Sequence, residues 1–220
     1  MVEKDGVDAK NSLQNLEWKA ILAIKNGYKA LMEDRIKKAF KESIALKEAF
    51  IKANVEKIIL LVQLVLDALK GGGKVLLFGN GGSAADAQHI AAEFVNRFRR
   101  DRHPLPALAL TTDTSILTSI ANDYDFSLVF LKQIQALGKP GDVAWGISTS
   151  GNSPNVNLAL EEAKRMGLKT VALGGGTGGK MAKIADLALV VNSKDTPRIQ
   201  EVHITIGHVV CELVEEMFFT

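Results

Sequence analysis

A single cysteine, Cys211, excludes an intramolecular disulfide. Its apolar neighbours in "HVVCELV" predict a small core residue rather than a reactive thiol. Charge of one sign is missing too: Lys and Arg together number 27 against 25 Asp and Glu, a net +2, so no global field draws the chain to nucleic acid or to an anionic membrane. The longest apolar run, "IILLVQLVLDAL", is interrupted and falls short of the ~20 residues that cross a bilayer. The N-terminal "MVEKDGVDAK" lacks the apolar stretch of a secretory signal. A cytoplasmic protein without membrane or nucleic-acid partners is the expectation. Aromatic residues are few, at 6%, while 47% of residues are hydrophobic and 24% charged, an ordinary globular mixture with no sign of disorder.

Proline is absent from residues 1–70, and apolar residues recur there at helical spacing until "GGGK" stops the pattern. Beyond it the periodicity changes. Short apolar runs at "KVLLFG", "LPALALT", "GDVAWGIS", "KTVALGGG" and "ADLALVV" alternate with helical stretches, which predicts an α/β domain with a parallel sheet covered on both faces. The last segment, "RIQEVHITIGHVVCELVEEMF", reads as a long helix beginning near Pro197, whose ring suits a helix start. One α/β domain over residues 32–220, with residues 1–31 as an N-terminal helical extension, is the expected organisation. The basic run "RFRRDRH", Arg97 to His103, reads as the solvated end of a helix, where cations favour the dipole.

In open parallel sheets ligands bind at the carboxyl ends of the strands, so the loops that follow strands carry the chemistry. The loop "GNGGS", Gly79 to Ser83, lets backbone approach a ligand and opens a helix whose free N–H groups attract an anion. It is no dinucleotide fingerprint, because Ala84 and Ala85 stand where another glycine is required. The loop "ISTSGNS" offers hydroxyls at Ser148, Thr149, Ser150 and Ser153, several donors for one phosphate without a fixed positive charge. "GGGTGG" is nearly devoid of side chains and reads as a flexible turn.

His89 and Glu93, four apart on the helix after "GNGGS", share a face and suit either a divalent metal or an acid/base pair. The C-terminal helix sets Gln200, His203 and His208 among apolar residues, and buried polar groups need partners. Gln200 and His208 lie roughly 12 Å apart along an ideal helix, which is awkward for joint ligation of one ion. Either the helix start is distorted or the two ends serve sites shared between chains.

Four motifs in order, "GNGGSAADAQHIAAEF", "IANDYDF", "GISTSGNSPNV" and "TPRIQEVHITIGH", resemble the sugar isomerase (SIS) domain family, and within it the phosphoheptose isomerases, from about residue 32 to the C-terminus. The resemblance implies a flavodoxin-like parallel five-stranded sheet flanked by helices, a homotetramer with active sites at subunit interfaces, and zinc. It places the metal ligands at His89, Glu93, Gln200 and His208. Substrate contacts fall on Asn80, Gly81, Gly82, Ser83, Glu93, Asn122, Asp123, Ser148, Thr149, Ser150, Ser153 and Gln200, with the serine loop on a sugar phosphate. The implied reaction converts sedoheptulose 7-phosphate to D-glycero-D-manno-heptose 7-phosphate, on the way to the ADP-heptose of the lipopolysaccharide core. Moving a proton from C1 to C2 through an enediolate needs a base and an opposing acid or base. Glu93 and His208 are expected in those roles. A rival reading comes from a related SIS protein that associates with the DnaA initiator as a binding module, which "NRFRRDRHPLPALAL" resembles. The intact His208 and the full set of hydroxyls in "STSGNS" favour the enzyme.

Overall fold

The computed structural model describes the backbone of residues 5–220, and side chains at position 25 and from position 27 on. Helix α1 (Asp5–Lys70) accounts for the described part of the proline-free stretch. By contacts the chain divides after Ala45. The N-terminal unit holds only the first part of α1, where Tyr28, Met32, Ile36, Phe40 and Ile44 recur every four residues and are exposed. No helix of the described residues is long and apolar enough to cross a membrane.

The second unit, Leu46–Thr220, is a three-layer α/β domain. Strands β1 (Val75–Gly79), β2 (Ala107–Ala109), β3 (Val143–Ser148), β4 (Lys169–Gly175) and β5 (Leu187–Val191) form one parallel sheet in the order β2-β1-β3-β4-β5. Helices α2 (Gly82–Val95), α3 (Thr114–Asp123), α4 (Val129–Leu137), α5 (Pro154–Arg165), α6 (Met181–Ile184) and α7 (Thr196–Phe218) connect and cover it. This flavodoxin-like order reverses between β1 and β3, so the crevice outside their carboxyl ends is the place for a ligand. The loops Gly79–Ser83 and Ser148–Ser153 leave the sheet at that crevice.

Burial on both faces explains why β1 and β3 read as unbroken apolar runs, since every residue of each is buried. The period of two sorts them: Leu77, Trp145 and Leu173 pack with α1, α2 and α7, whereas Leu76, Phe78 and Ala144 pack with α4 and α5. Within this unit α1 contributes Ile58, Leu61, Val62, Val65, Leu66 and Leu69, an i, i+3, i+4 stripe, to the first layer. Cys211 lies in the same layer, and burial pushes its thiol far up.

The basic run departs from expectation. Helix α2 ends at Val95, so Arg97 to His103 form a connection rather than a helix end, and Arg102 is buried. Its Nε meets Glu215 Oε2 at 2.9 Å, with the two side chains 4% and 1% exposed. Glu215 also accepts the backbone N–H groups of Phe98, Arg99 and Arg100 at 2.8 to 2.9 Å. Burial alone would raise the Glu215 carboxyl, but these three N–H groups and Arg102 outweigh it and hold the group down at about 2. A sequence window reports charge but not the partner 113 residues away.

Glu215→Ala leaves Arg102 buried without its counter-charge and is expected to lower stability by about 3 to 5 kcal/mol in urea titrations at neutral pH. Because the native carboxyl titrates below its ordinary value of 4.5, its contribution is complete above that value and is lost as pH falls toward 2, so the gap between wild type and variant should narrow across that window. A gap that widens toward acid would contradict this assignment.

Candidate functional site

The first turn after β1 brings Asn80 against the start of α5. Asn80 and Asn155 exchange side-chain amide hydrogen bonds of 2.9 and 2.8 Å, tying the loop after β1 to the loop after β3. Gly82 opens α2 beneath Gln200, and a Cβ at position 82 would collide with the Gln200 amide. Ser83 is buried at the same turn.

After β3, the hydroxyl of buried Ser148 lies 2.9 Å from that of Ser153 and 3.4 Å from that of Ser150. Ser153 occupies the N-cap position of α5, yet its side chain makes no capping hydrogen bond. Pro154, the first residue of α5, has no N–H, and Val156 N donates to Asn155 Oδ1 at 3.0 Å, so the three clustered hydroxyls are the donors here that suit a phosphate. Half-buried Thr149 sits between them. The two residues that follow "GGGTGG" hold this loop: Met181 N donates to Gly151 O at 3.0 Å, and Lys180 N to Asn152 Oδ1 at 3.0 Å.

Further along α2, His89 Nε2 stands 3.1 Å from Glu93 Oε1, and His208 Nε2 of α7 stands 3.3 Å from His89 Nε2. One ligand atom from each of the three residues lies within 4.8 Å of the others. Two imidazole nitrogens facing each other at 3.3 Å match the edge of a tetrahedron around zinc, which is about 3.3 Å for Zn–N bonds of 2.0 to 2.1 Å. The donor set fits that ion. Gln200 lies at Gly82, the N-terminal end of α2, and His89 is seven residues further on, about 10 Å along the axis.

Burial, then the charge of His89, lowers the His208 pKa, against a smaller opposing effect of Glu93, so His208 is neutral at pH 7. His203, five residues earlier on α7, is fully buried, and burial holds it at about 4. Its Nε2 lies 3.1 Å from Gly174 O, so it fastens α7 to the end of β4 instead of joining the cluster. Asn122 and Asp123 stand exposed at the end of α3, and among the described residues their side-chain hydrogen bond is to each other, at 2.9 Å. One chain thus gathers His89, Glu93 and His208 in one place and the serine loop in another, but leaves Asn122 and Asp123 apart.

The SIS domain pattern matches residues 39–175. The phosphoheptose isomerase of Thermodesulfovibrio yellowstonii is 55% identical over 86% of this chain and 94% of its own length, and that of Aquifex aeolicus is 57% identical over 84% and 97%. The solved phosphoheptose isomerase of Neisseria gonorrhoeae superposes with a TM-score of 0.80 at 46% identity, covering 84% of this chain and 99% of that one. The chain belongs to the phosphoheptose isomerases of the SIS domain family. It is an isomerase, and its five-stranded parallel sheet with flanking helices is the fold of that family.

Two groups near these residues escaped a reading of the sequence alone. Asp86 lies one turn before His89, its Oδ2 is buried without a partner among the described residues, and burial raises its carboxyl to about 6 despite the opposing charge of His89. The i, i+3, i+7 spacing of Asp86, His89 and Glu93 was the available signal. Asn155 had none beyond its place in the first turn after the serine loop.

Because His89, Glu93 and His208 meet within one chain, mixing Glu93→Gln with His208→Ala chains should restore no isomerase activity even where subunits exchange, for every site then lacks one of the two groups. Recovery of activity in such a mixture would mean that the two residues act from different chains.

Proposed function

We propose that the chain interconverts sedoheptulose 7-phosphate and D-glycero-D-manno-heptose 7-phosphate in the cytoplasm, and so feeds ADP-heptose synthesis for the lipopolysaccharide core. The observation that carries the reading is the convergence of His89, Glu93 and His208 between α2 and α7, in a chain whose relatives are phosphoheptose isomerases. The binding-module alternative has less support, since the acid/base pair and every hydroxyl of the serine loop are present.

The phosphate takes its place at the start of α5, hydrogen-bonded by Ser148, Thr149, Ser150 and Ser153, and Asn80, Gly81, Gly82 and Ser83 line the path of the sugar from β1. Glu93 removes a proton from C1 of the ketose. Its Oε1 is turned to His89, which leaves the second carboxylate oxygen for this proton. Neutral His208 exchanges protons with the sugar oxygens as the C2 carbonyl becomes a hydroxyl and the C1 hydroxyl becomes the aldehyde. Return of the proton to C2 completes the isomerisation. His89, Glu93 and His208 would hold zinc, with Gln200, remote from this cluster within one chain, serving as a ligand from a neighbouring chain, and zinc when bound would stabilise negative charge on the sugar oxygens.

We further assign the assembly as a homotetramer with sites at subunit interfaces. Exposed Ile51, Val55 and Ile59 in the second unit, and the four-residue stripe in the first, are apolar surfaces of a kind that seeks a partner. Asn122 and Asp123, apart from the cluster in their own chain, would serve a neighbouring site. Residues 1–31 form an extension to the SIS domain of residues 32–220.

Incubation with sedoheptulose 7-phosphate should yield the aldose. Glu93→Gln keeps the shape but not the base, and kcat should fall by about 10² or more in a folded protein. Ser150→Ala removes a contact remote from C1 that ground and transition states share, so it should raise KM with kcat nearly unchanged. Near wild-type kcat in Glu93→Gln would remove it as the base, and an unchanged KM in Ser150→Ala would remove the phosphate assignment.

A further inference from the structure

The buried Arg102–Glu215 pair makes more contacts than an ion pair needs. Besides Glu215, the Arg102 guanidinium donates to the carbonyls of Glu93 at 2.9 Å, Phe94 at 2.6 Å, His103 at 3.1 Å and Asn96 at 3.3 Å. The carbonyls of Glu93 and Phe94 end α2 and have no partner within the helix, so Arg102 caps the turn that carries Glu93. Glu215 lies on α7 seven residues after His208, two turns along the same face and about 10 Å along the axis. The pair therefore fastens the last turn of α2 to α7 from below the cluster.

A second link runs through Phe98. Its backbone N–H is held by Glu215 Oε2 at 2.9 Å, and its ring lies 5.7 Å from the His208 ring, tilted by 39°. His208 also meets His89 edge-on, with ring centres 4.9 Å apart and planes at 71°. His208 thus packs against both His89 and a phenyl ring whose place is set by Glu215. An imidazole packed against two rings has less freedom to turn about its own bonds.

We infer that Arg102, Glu215 and Phe98 are positioning residues for the isomerase: the ion pair fixes Glu93 against α7, and Phe98, held by Glu215, fixes the orientation of the His208 ring. None of the three touches the reacting atoms. The inference rests on the reading of His89, Glu93 and His208 as the working cluster, and it adds the support that holds their geometry. Groups of this kind around metal-binding histidines are commonly worth 10- to 100-fold in metal affinity.

The test uses the full-length protein, with cobalt(II) as the probe because its visible absorption reports ligand geometry. Phe98→Leu keeps an apolar side chain and the backbone N–H to Glu215 but removes the ring. Arg102→Met combined with Glu215→Leu removes both charges at once and leaves no lone buried ion. Each variant is expected to bind cobalt(II) at least tenfold more weakly with an altered absorption spectrum, and to lose at least tenfold in kcat while KM for sedoheptulose 7-phosphate stays within about twofold. Phe98→Tyr, which restores the ring, should recover both. A folded Phe98→Leu protein with cobalt affinity, spectrum and kcat within twofold of wild type overturns the inference, and that result decides alone if the double variant does not fold. Wild-type protein that neither binds cobalt(II) nor converts the sugar would overturn the parent reading and the inference with it, whereas active wild type with unaltered variants removes the inference only.

Discussion

Helix α7 lies so close to α2 that position 207 has no room for a side chain: a Cβ on Gly207 would stand 2.6 Å from the Ile90 side chain, which is itself fully buried. This approach decides the rest of the site. His208 follows Gly207 directly, and His89 precedes Ile90, so the contact that excludes a methyl group at 207 is the one that brings the two imidazole nitrogens to 3.3 Å. At the other end of α2, Gly82 leaves room for Gln200 in the same way. Two glycines, one on each helix, set a spacing that longer residues would open, and the functional side chains project into the gap between the helices. Interiors are packed too tightly for such a displacement to be absorbed locally.

The same helix pair shows how environment divides similar residues between structural and chemical duty. His203 and His208 sit five residues apart on α7, yet one is sealed and the other half-open. Burial makes His203 a neutral fastener for the Gly174 carbonyl, with no access to solvent or substrate. His208 is also lowered by burial, but it is half-exposed and faces His89 and Glu93. Carboxylates divide likewise. Glu215 is held ionised by three N–H groups and an arginine, whereas half-buried Asp86, with one oxygen unpartnered among the described residues, is pushed up. Surroundings, more than residue type, assign the roles.

Much of this was legible in the sequence because the relevant signals are local. Strand runs, the glycine stop after α1, Pro197 at the start of α7 and the four-residue spacing of His89 and Glu93 each depend on neighbours within a few positions. The serine loop was legible for the same reason. What escaped depends on partners far along the chain. Arg102 reads as a solvated cation until Glu215 is placed beside it, and Asp86 stands out only once its Oδ2 is seen to be buried. Gln200 and His208 do lie apart in the folded chain, as the spacing on α7 implied, for Gln200 meets Gly82 at the start of α2. In the folded chain His208 finds its partners on α2 instead, and those three residues need no second chain to meet.

The central claim is that α2 and α7 of one chain assemble a cluster of two imidazoles and a carboxylate suited to zinc. X-ray absorption at the zinc edge, on protein loaded with one equivalent per chain, tests it directly. Two histidine nitrogens and further oxygen or nitrogen ligands at about 2.0 to 2.2 Å are predicted. A first shell with one imidazole or none would contradict the account.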